Sequence, residues 1–404
     1  MNSQIKRVIC MTDNFPDGQR ITAASVEYDR EICPDGMSTD CFTVPGRHIL
    51  SVRANGASVT LALDPNDDAA FVMPGPGHSK KGRGPGGPGG PGSPGGPPKM
   101  PEAKRLPREV KVIQRGDLRC ADGSVISGSD SAYMSDTAIE PVIDEFKQFT
   151  FKGLSYNLYE PRETEAGKEY PLVVFIHDAG PCGDDAFLTL SQGNGAISWA
   201  SPEWQNEHPC YVLAPQIPRS VHLTNDDFHT SDEIYLLKEM IDMVAEKYNV
   251  DKKRIYATGQ SMGCMAFCEL NILYPDYFAA SLLVAGQWSP ERMAKHCTAC
   301  KFWILVSNHD AKAFPGMNAV TEQMERAGAK IGRYTWNAKS TQEQFDALVD
   351  EAMRDDVNVR YTVFEGSSVV PEGRDDNPAS NHICTWPVVY SIDALKRWLF
   401  SCGK

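Results

Sequence analysis

Leu172-Val173-Val174-Phe175-Ile176 is five apolar residues without a polar break. A run that short, built from β-branched and aromatic residues, suits a strand covered on both faces. Further runs follow at 210–213, 254–258, 280–285, 302–306 and 359–364, with helical patterns between most of them. That alternation predicts an α/β domain with a mostly parallel sheet and helices on both faces. Just upstream, 147–152 and 154–160 read as an antiparallel strand pair. Thr230-Ser231-Asp232-Glu233 has the form of a capping box, and Ile234, Leu237, Ile241, Val244 and Tyr248 then share one helical stripe. A second helix runs from the turn after Gly259 to Tyr274, where Pro275 stops it. The last, from Tyr390 to Phe400, turns Ile392, Leu395 and Leu399 inward with Trp398 beside them.

The first third has a different character. Runs rich in Val, Ile and Thr at 21–28, 48–53 and 58–63 are separated by Pro-Asp-Gly and Asp-Pro-Asn-Asp turns, which suggests a small all-β sandwich. The run 109–113 reads as a late strand of the same sheet. Between these strands, 19 of the 25 residues 74–98 are Gly or Pro, a composition expected of a solvated insertion. The domains expected are therefore 1–138, a β sandwich with an insertion at 74–98, and 139–404, the α/β domain.

A chain of 404 residues accommodates two such domains. Its net charge of −13 repels phosphate backbones, so neither nucleic acid nor an anionic membrane is expected as a partner, and a small neutral or cationic substrate fits better. No apolar stretch approaches the ~20 residues of a membrane-spanning helix, and the first ten residues lack the pattern of a signal peptide. The expectation is a cytoplasmic protein, although a leader removed beforehand would leave the same sequence. The twelve cysteines are scattered and read as reduced thiols, with Cys264 and Cys268 on one helical face. Cys297-Thr-Ala-Cys300 is a lone C-x-x-C without a second pair, so no metal site or cofactor is expected.

Gly259-Gln260-Ser261-Met262-Gly263 is the one G-x-S-x-G in the chain, lying between the strand ending at Thr258 and the helix from 262. A serine on such a turn is held up at the carboxyl edge of the sheet, and glycines are needed where strand, turn and helix crowd together. A serine hydroxyl is a weak nucleophile, so it needs a base, and the base needs a group that fixes its tautomer. In sites of this kind the acid and then the histidine follow the serine. Asp310 directly follows the 302–306 strand and is the candidate acid. Among nine histidines, His48 and His78 lie in the first domain, His177, His208, His222 and His229 precede the serine, and His296 precedes the acid's strand. His309 adjoins Asp310 too closely, which leaves His382, in the loop before the last helix, as the candidate base. The N–H of Met262 is one candidate oxyanion donor. The second comes from the loop after 172–176, with Ala179 as first choice and Asp178 as second. His177 is read as a structural hydrogen-bond donor.

Phe175-Ile-His-Asp-Ala-Gly180, Gln192-Gly-Asn-Gly-Ala196, the G-x-S-x-G turn, Ala285-Gly-Gln-Trp288, Pro315-Gly-Met-Asn318 and His382 with Thr385-Trp386 together resemble one family. It is the α/β-hydrolase esterases and predicted peptidases that carry an immunoglobulin-like domain before the catalytic module. The resemblance covers the second domain, and the first only through its all-β pattern. It implies a Ser261, Asp310, His382 triad, an oxyanion hole and esters of varied acids, including aromatic ones, as substrates. The usual His-Gly of the oxyanion loop reads His177-Asp178 here. Gln260, Gln287 and Trp288 are the substrate-binding candidates; Trp199 and Trp204 are expected either to line a pocket or to pack in the core. The excursion 181–209 is long enough to roof the site. A serine carboxylesterase leads; a peptidase on the same residues and a non-catalytic binding protein on this scaffold are the alternatives, with homo-oligomerisation through the β domain a further expectation.

Overall fold

A computed structural model describes residues 5–73 and 103–404, so the insertion at 74–98 lies outside the described residues. They fall into two compact units, residues 5–73 with 105–144 and residues 103–104 with 145–404. The first unit thus runs to Asp144 rather than 138. The reason is local: Thr137–Ile139 pairs parallel to Ile5–Phe15, and the next residue, Glu140, buries its carboxylate against Gln19 Nε2 at 2.6 Å, Arg108 Nε at 3.1 Å and the Arg105 guanidinium. A buried carboxylate without those partners would be strongly destabilising.

In the first unit a five-stranded sheet runs in the order Thr137–Ile139, Ile5–Phe15, Gly18–Tyr28, Ser58–Leu63, Ile49–Asn55. The turn Pro16-Asp17-Gly18 closes its first hairpin, with Gly18 at φ 139°. The run at 109–113 becomes the strand Lys111–Gln114, and it does not extend this sheet as the sequence suggested. It pairs with Phe42–Thr43 and Ala132–Met134 in a separate three-stranded sheet. Val110 and Val112 turn inward there and share one core with Val26, Tyr28 and Leu61 of the larger sheet. The Tyr28 hydroxyl donates across that core to Gln114 Oε1 at 3.0 Å.

Among its described residues the second unit builds a nine-stranded sheet in the order Lys147–Phe151, Leu154–Tyr159, Tyr211–Pro215, Tyr170–Ile176, Val250–Gln260, Ala280–Val284, Phe302–Ser307, Val359–Phe364, Ile331–Trp336. The first two strands are antiparallel to their neighbours and the rest are parallel. All seven residues of Tyr170–Ile176 are buried, as a doubly covered strand requires. One face carries Leu172, Val174, Ile176, Ile255 and Ala257 into a core with the helices Glu233–Lys247 and Met262–Leu273. The other face meets the C-terminal helices through Phe175 on Tyr390, Tyr256 on Phe400 and Trp303 on Trp398, at ring separations of 5.7, 5.1 and 5.1 Å. The capping box at 230–233 does not form. Helix Glu233–Lys247 starts from Asp232 without a side-chain cap, and Thr230 lies outside it, in a backbone bridge with Thr224.

Candidate active site

Val250–Gln260 is paired on both sides at its carboxyl end, Gly259 opposite Ile176 and Gln260 opposite Val284. Ser261 follows at φ 50°, ψ −114°, a backbone conformation that costs an L-residue about 1–3 kcal/mol. Its N–H donates to the Val284 carbonyl at 2.9 Å, anchoring the turn to the next strand. The flanking glycines are sterically required. A Cβ on Gly259 would lie 2.7 Å from the Gly263 backbone, and one on Gly263 would overlap the Ile176 carbonyl. The side chain of 261 is thereby raised above the N-terminus of helix Met262–Leu273.

Asp310 follows strand Phe302–Ser307 and is 3% exposed. Its Oδ1 accepts the N–H groups of Lys312 at 3.0 Å and Ala313 at 2.9 Å, at the opening of helix Ala313–Arg326. Burial favours the neutral acid. The hydrogen bond and charge of His382, with the two N–H donors, outweigh it and hold the carboxyl below its ordinary value of 3.8. His382 was expected in a loop, but it lies in a helix, Pro378–Val389. Asn377 starts that helix by accepting the Ser380 N–H at 2.9 Å, and Pro378 occupies its first position.

The imidazole joins the other two groups. His382 Nδ1 is 2.5 Å from Asp310 Oδ2, and Nε2 is 2.9 Å from Ser261 Oγ. A carboxylate only accepts, so Nδ1 carries the proton and bare Nε2 accepts the serine hydroxyl. The position of His382 is set by its neighbour Asn381, which is fully buried. Asn381 Oδ1 accepts the Ser307 hydroxyl at 2.9 Å, and its Nδ2 donates to Asp376 Oδ1 at 2.8 Å. Asn381 and Ser307 were not singled out from sequence; the Asn-Pro at 377–378 was the available signal for the helix that carries them together.

The remaining candidates divide. The Met262 N–H opens a helix and so has no intrahelical acceptor. His177 is wholly buried, and desolvation pushes its pKa down. Its Nε2 accepts the Ile217 N–H at 3.0 Å, and its Nδ1–H donates to the Asp178 carbonyl at 2.6 Å, the structural role expected. Gln260 is 4% exposed with its amide turned to Asp178 Oδ2 at 2.9 Å and Gln192 Oε1 at 3.1 Å, so it braces the turn and presents no surface to a substrate. Trp288 has no exposed surface. Its indole N–H is spent on Glu269 Oε2 at 3.0 Å, and its ring lies edge-on to Phe228, which removes it as a substrate contact. Gln287, half-buried, donates to Asp226 Oδ1 at 2.8 Å. Trp199 and Trp204 pack on each other and on Phe400 in the core. The 181–209 excursion is likewise built inward, through Leu188, Leu190 and Ile197, rather than forming an open roof. Cys297 and Cys300 are buried free thiols.

Strand order, crossover helices and the strained serine turn are those of the α/β-hydrolase fold, with a Ser–His–Asp chain of hydrogen bonds at the carboxyl edge of the sheet. No protein-family model and no curated protein matches the chain. Among solved structures, it is similar to a thermostable esterase at 24% identity and a TM-score of 0.79, over 99% of this chain and 100% of that one. Weaker likenesses are to a feruloyl esterase module from Clostridium thermocellum (15% identity, TM-score 0.39, 61% of this chain and 87% of that one) and to a puromycin-hydrolysing peptidase of Mycobacterium tuberculosis (14%, 0.42, 73% and 46%). The first, which spans both units, shows the shared fold.

Proposed function

We propose that the chain is a serine hydrolase that cleaves carboxylic esters through an acyl-enzyme on Ser261. The observation that carries this reading is the position of His382 between Ser261 Oγ and Asp310 Oδ2, at 2.9 and 2.5 Å. As Ser261 Oγ attacks the ester carbonyl, His382 Nε2 takes its proton. The imidazolium then protonates the departing alkoxide, which leaves as the alcohol. Water enters, gives a proton to Nε2 and attacks the acyl carbon; the proton returns to Ser261 Oγ as the acid is released. Asp310 holds the Nδ1–H tautomer and balances the charge formed on the ring. The N–H groups of Met262 and Ala179 receive the negative oxygen in both tetrahedral intermediates, each such donor being worth roughly 10²–10³ in rate. On this reading the first unit is an immunoglobulin-like sandwich preceding the catalytic unit.

Ser261→Ala is expected to abolish turnover of a p-nitrophenyl ester while circular dichroism and melting temperature remain those of the wild type. Wild-type turnover in that variant would refute the assignment.

A further inference from the structure

We propose that Asp178 and Gln260 are positioning residues, a carboxylate–amide brace that ties the serine turn to the loop after Tyr170–Ile176 and fixes the Ala179 N–H as an oxyanion donor. The proposal rests on the reading of Ser261 as the nucleophile.

A carboxylate beside a developing oxyanion opposes it by like-charge repulsion unless its own oxygens are engaged elsewhere. Asp178 is 7% exposed, and both its oxygens are engaged. Oδ1 accepts the Gly180 N–H at 2.7 Å, and Oδ2 accepts Gln260 Nε2 at 2.9 Å from a residue 82 positions away. The fit at 180 is close: a Cβ there would lie 2.8 Å from Asp178 Oδ1. On the main chain, the Asp178 carbonyl accepts His177 Nδ1–H at 2.6 Å, and His177 is itself anchored on the Ile217 N–H at 3.0 Å.

These bonds settle the orientation of one peptide. In a planar trans peptide the C=O of residue 178 and the N–H of residue 179 point in opposite directions. With the carbonyl held by the His177 ring, the Ala179 N–H faces away from that ring, and it has no hydrogen-bond partner among the described residues. Turning this peptide over requires breaking the His177 bond, and it is resisted by the Gly180 and Gln260 bonds on either side. Gln260 adjoins Ser261 and also donates to Gln192 Oε1 at 3.1 Å, so nucleophile and donor are held in one frame. Geometry of this kind contributes in the transition state and leaves ground-state binding nearly unchanged.

The test compares Gln260→Met, Asp178→Ala and Asp178→Asn with the wild type and Ser261→Ala on p-nitrophenyl acetate, and measures inhibition by a boronic acid that forms a tetrahedral adduct on serine. Gln260→Met and Asp178→Ala are expected to lower kcat about 10- to 100-fold, part of the value of a whole donor, with KM little changed. The boronate inhibition constant should weaken alongside kcat. Asp178→Asn keeps the acceptor for Gly180 and, with the Gln260 and Gln192 amides both turned over so that each oxygen again faces an N–H, keeps the cross-link, so it is expected to recover most of kcat. Wild-type kcat and boronate affinity in both Gln260→Met and Asp178→Ala, with Ser261→Ala inactive, would overturn the brace and leave the nucleophile assignment standing. Turnover in Ser261→Ala would overturn the assignment and the brace together.

Discussion

Ser261, His382 and Asp310 come from three separate segments, and each is held by backbone chemistry that has a local cause. The serine sits at positive φ because Gly259 and Gly263 let strand, turn and helix close on one another. The aspartate is kept ionised, against its burial, by His382 and by two N–H groups at a helix start, where the helix dipole also favours an anion. Its folded-state pKa lies below 3.8, so the stabilisation it contributes is present above the unfolded value and is lost as pH falls through the lower, folded one. Asp310→Asn should therefore be less stable than the wild type at pH 7 in urea titrations, with the gap narrowing below about pH 3.8. A gap that widened as pH fell would contradict the sign. In the same variant the imidazole loses the acceptor that selects its tautomer, and kcat for an ester should drop roughly 10³–10⁴-fold.

Strand ends and helix starts do the positioning, and the link between Phe302–Ser307 and Pro378–Val389 matters most. Asn381 makes it, with no exposed surface, through the Ser307 hydroxyl and the Asp376 carboxylate. Asn381→Leu leaves the buried Ser307 hydroxyl without its acceptor and is expected to cost about 1–3 kcal/mol in chemical denaturation. Because His382 is the next residue, kcat should fall as well; a destabilised variant with wild-type kcat would show that Asn381 does not position the base. Elements differed in how legible they were. Strands buried on both faces stood out as unbroken apolar runs. Ile331–Trp336 did not, since it is an edge strand whose exposed Arg333 and Thr335 interrupt the pattern. Ile5–Phe15 was hidden likewise by Lys6, Arg7 and Asp13 on its solvent side. The helix bearing His382 is masked in the sequence by Pro378, by Pro387 inside it and by its polar first turn; Asn377 and Pro378 start it.

Across the whole chain, the order of serine, acid and histidine and the strand–turn–helix context were enough to pick the three residues that the fold brings together. Their supports were not legible in the same way. Asp178 meets Gln260 over 82 positions and Asn381 meets Ser307 over 74, and no local pattern reports a contact at that range. Trp288 looked like a pocket residue from its place after a strand, but its burial depends on Glu269 and Phe228, which lie elsewhere in the chain. The fold accordingly sets the His382 imidazole 2.9 Å from the Ser261 hydroxyl. The most direct test is to treat the full-length protein with a fluorophosphonate and locate the adduct by peptide mass spectrometry. A single adduct is expected on Ser261, lost in Ser261→Ala and slowed by orders of magnitude in His382→Ala. No adduct on Ser261, or labelling of Ser261 at an undiminished rate without the imidazole, would contradict the account.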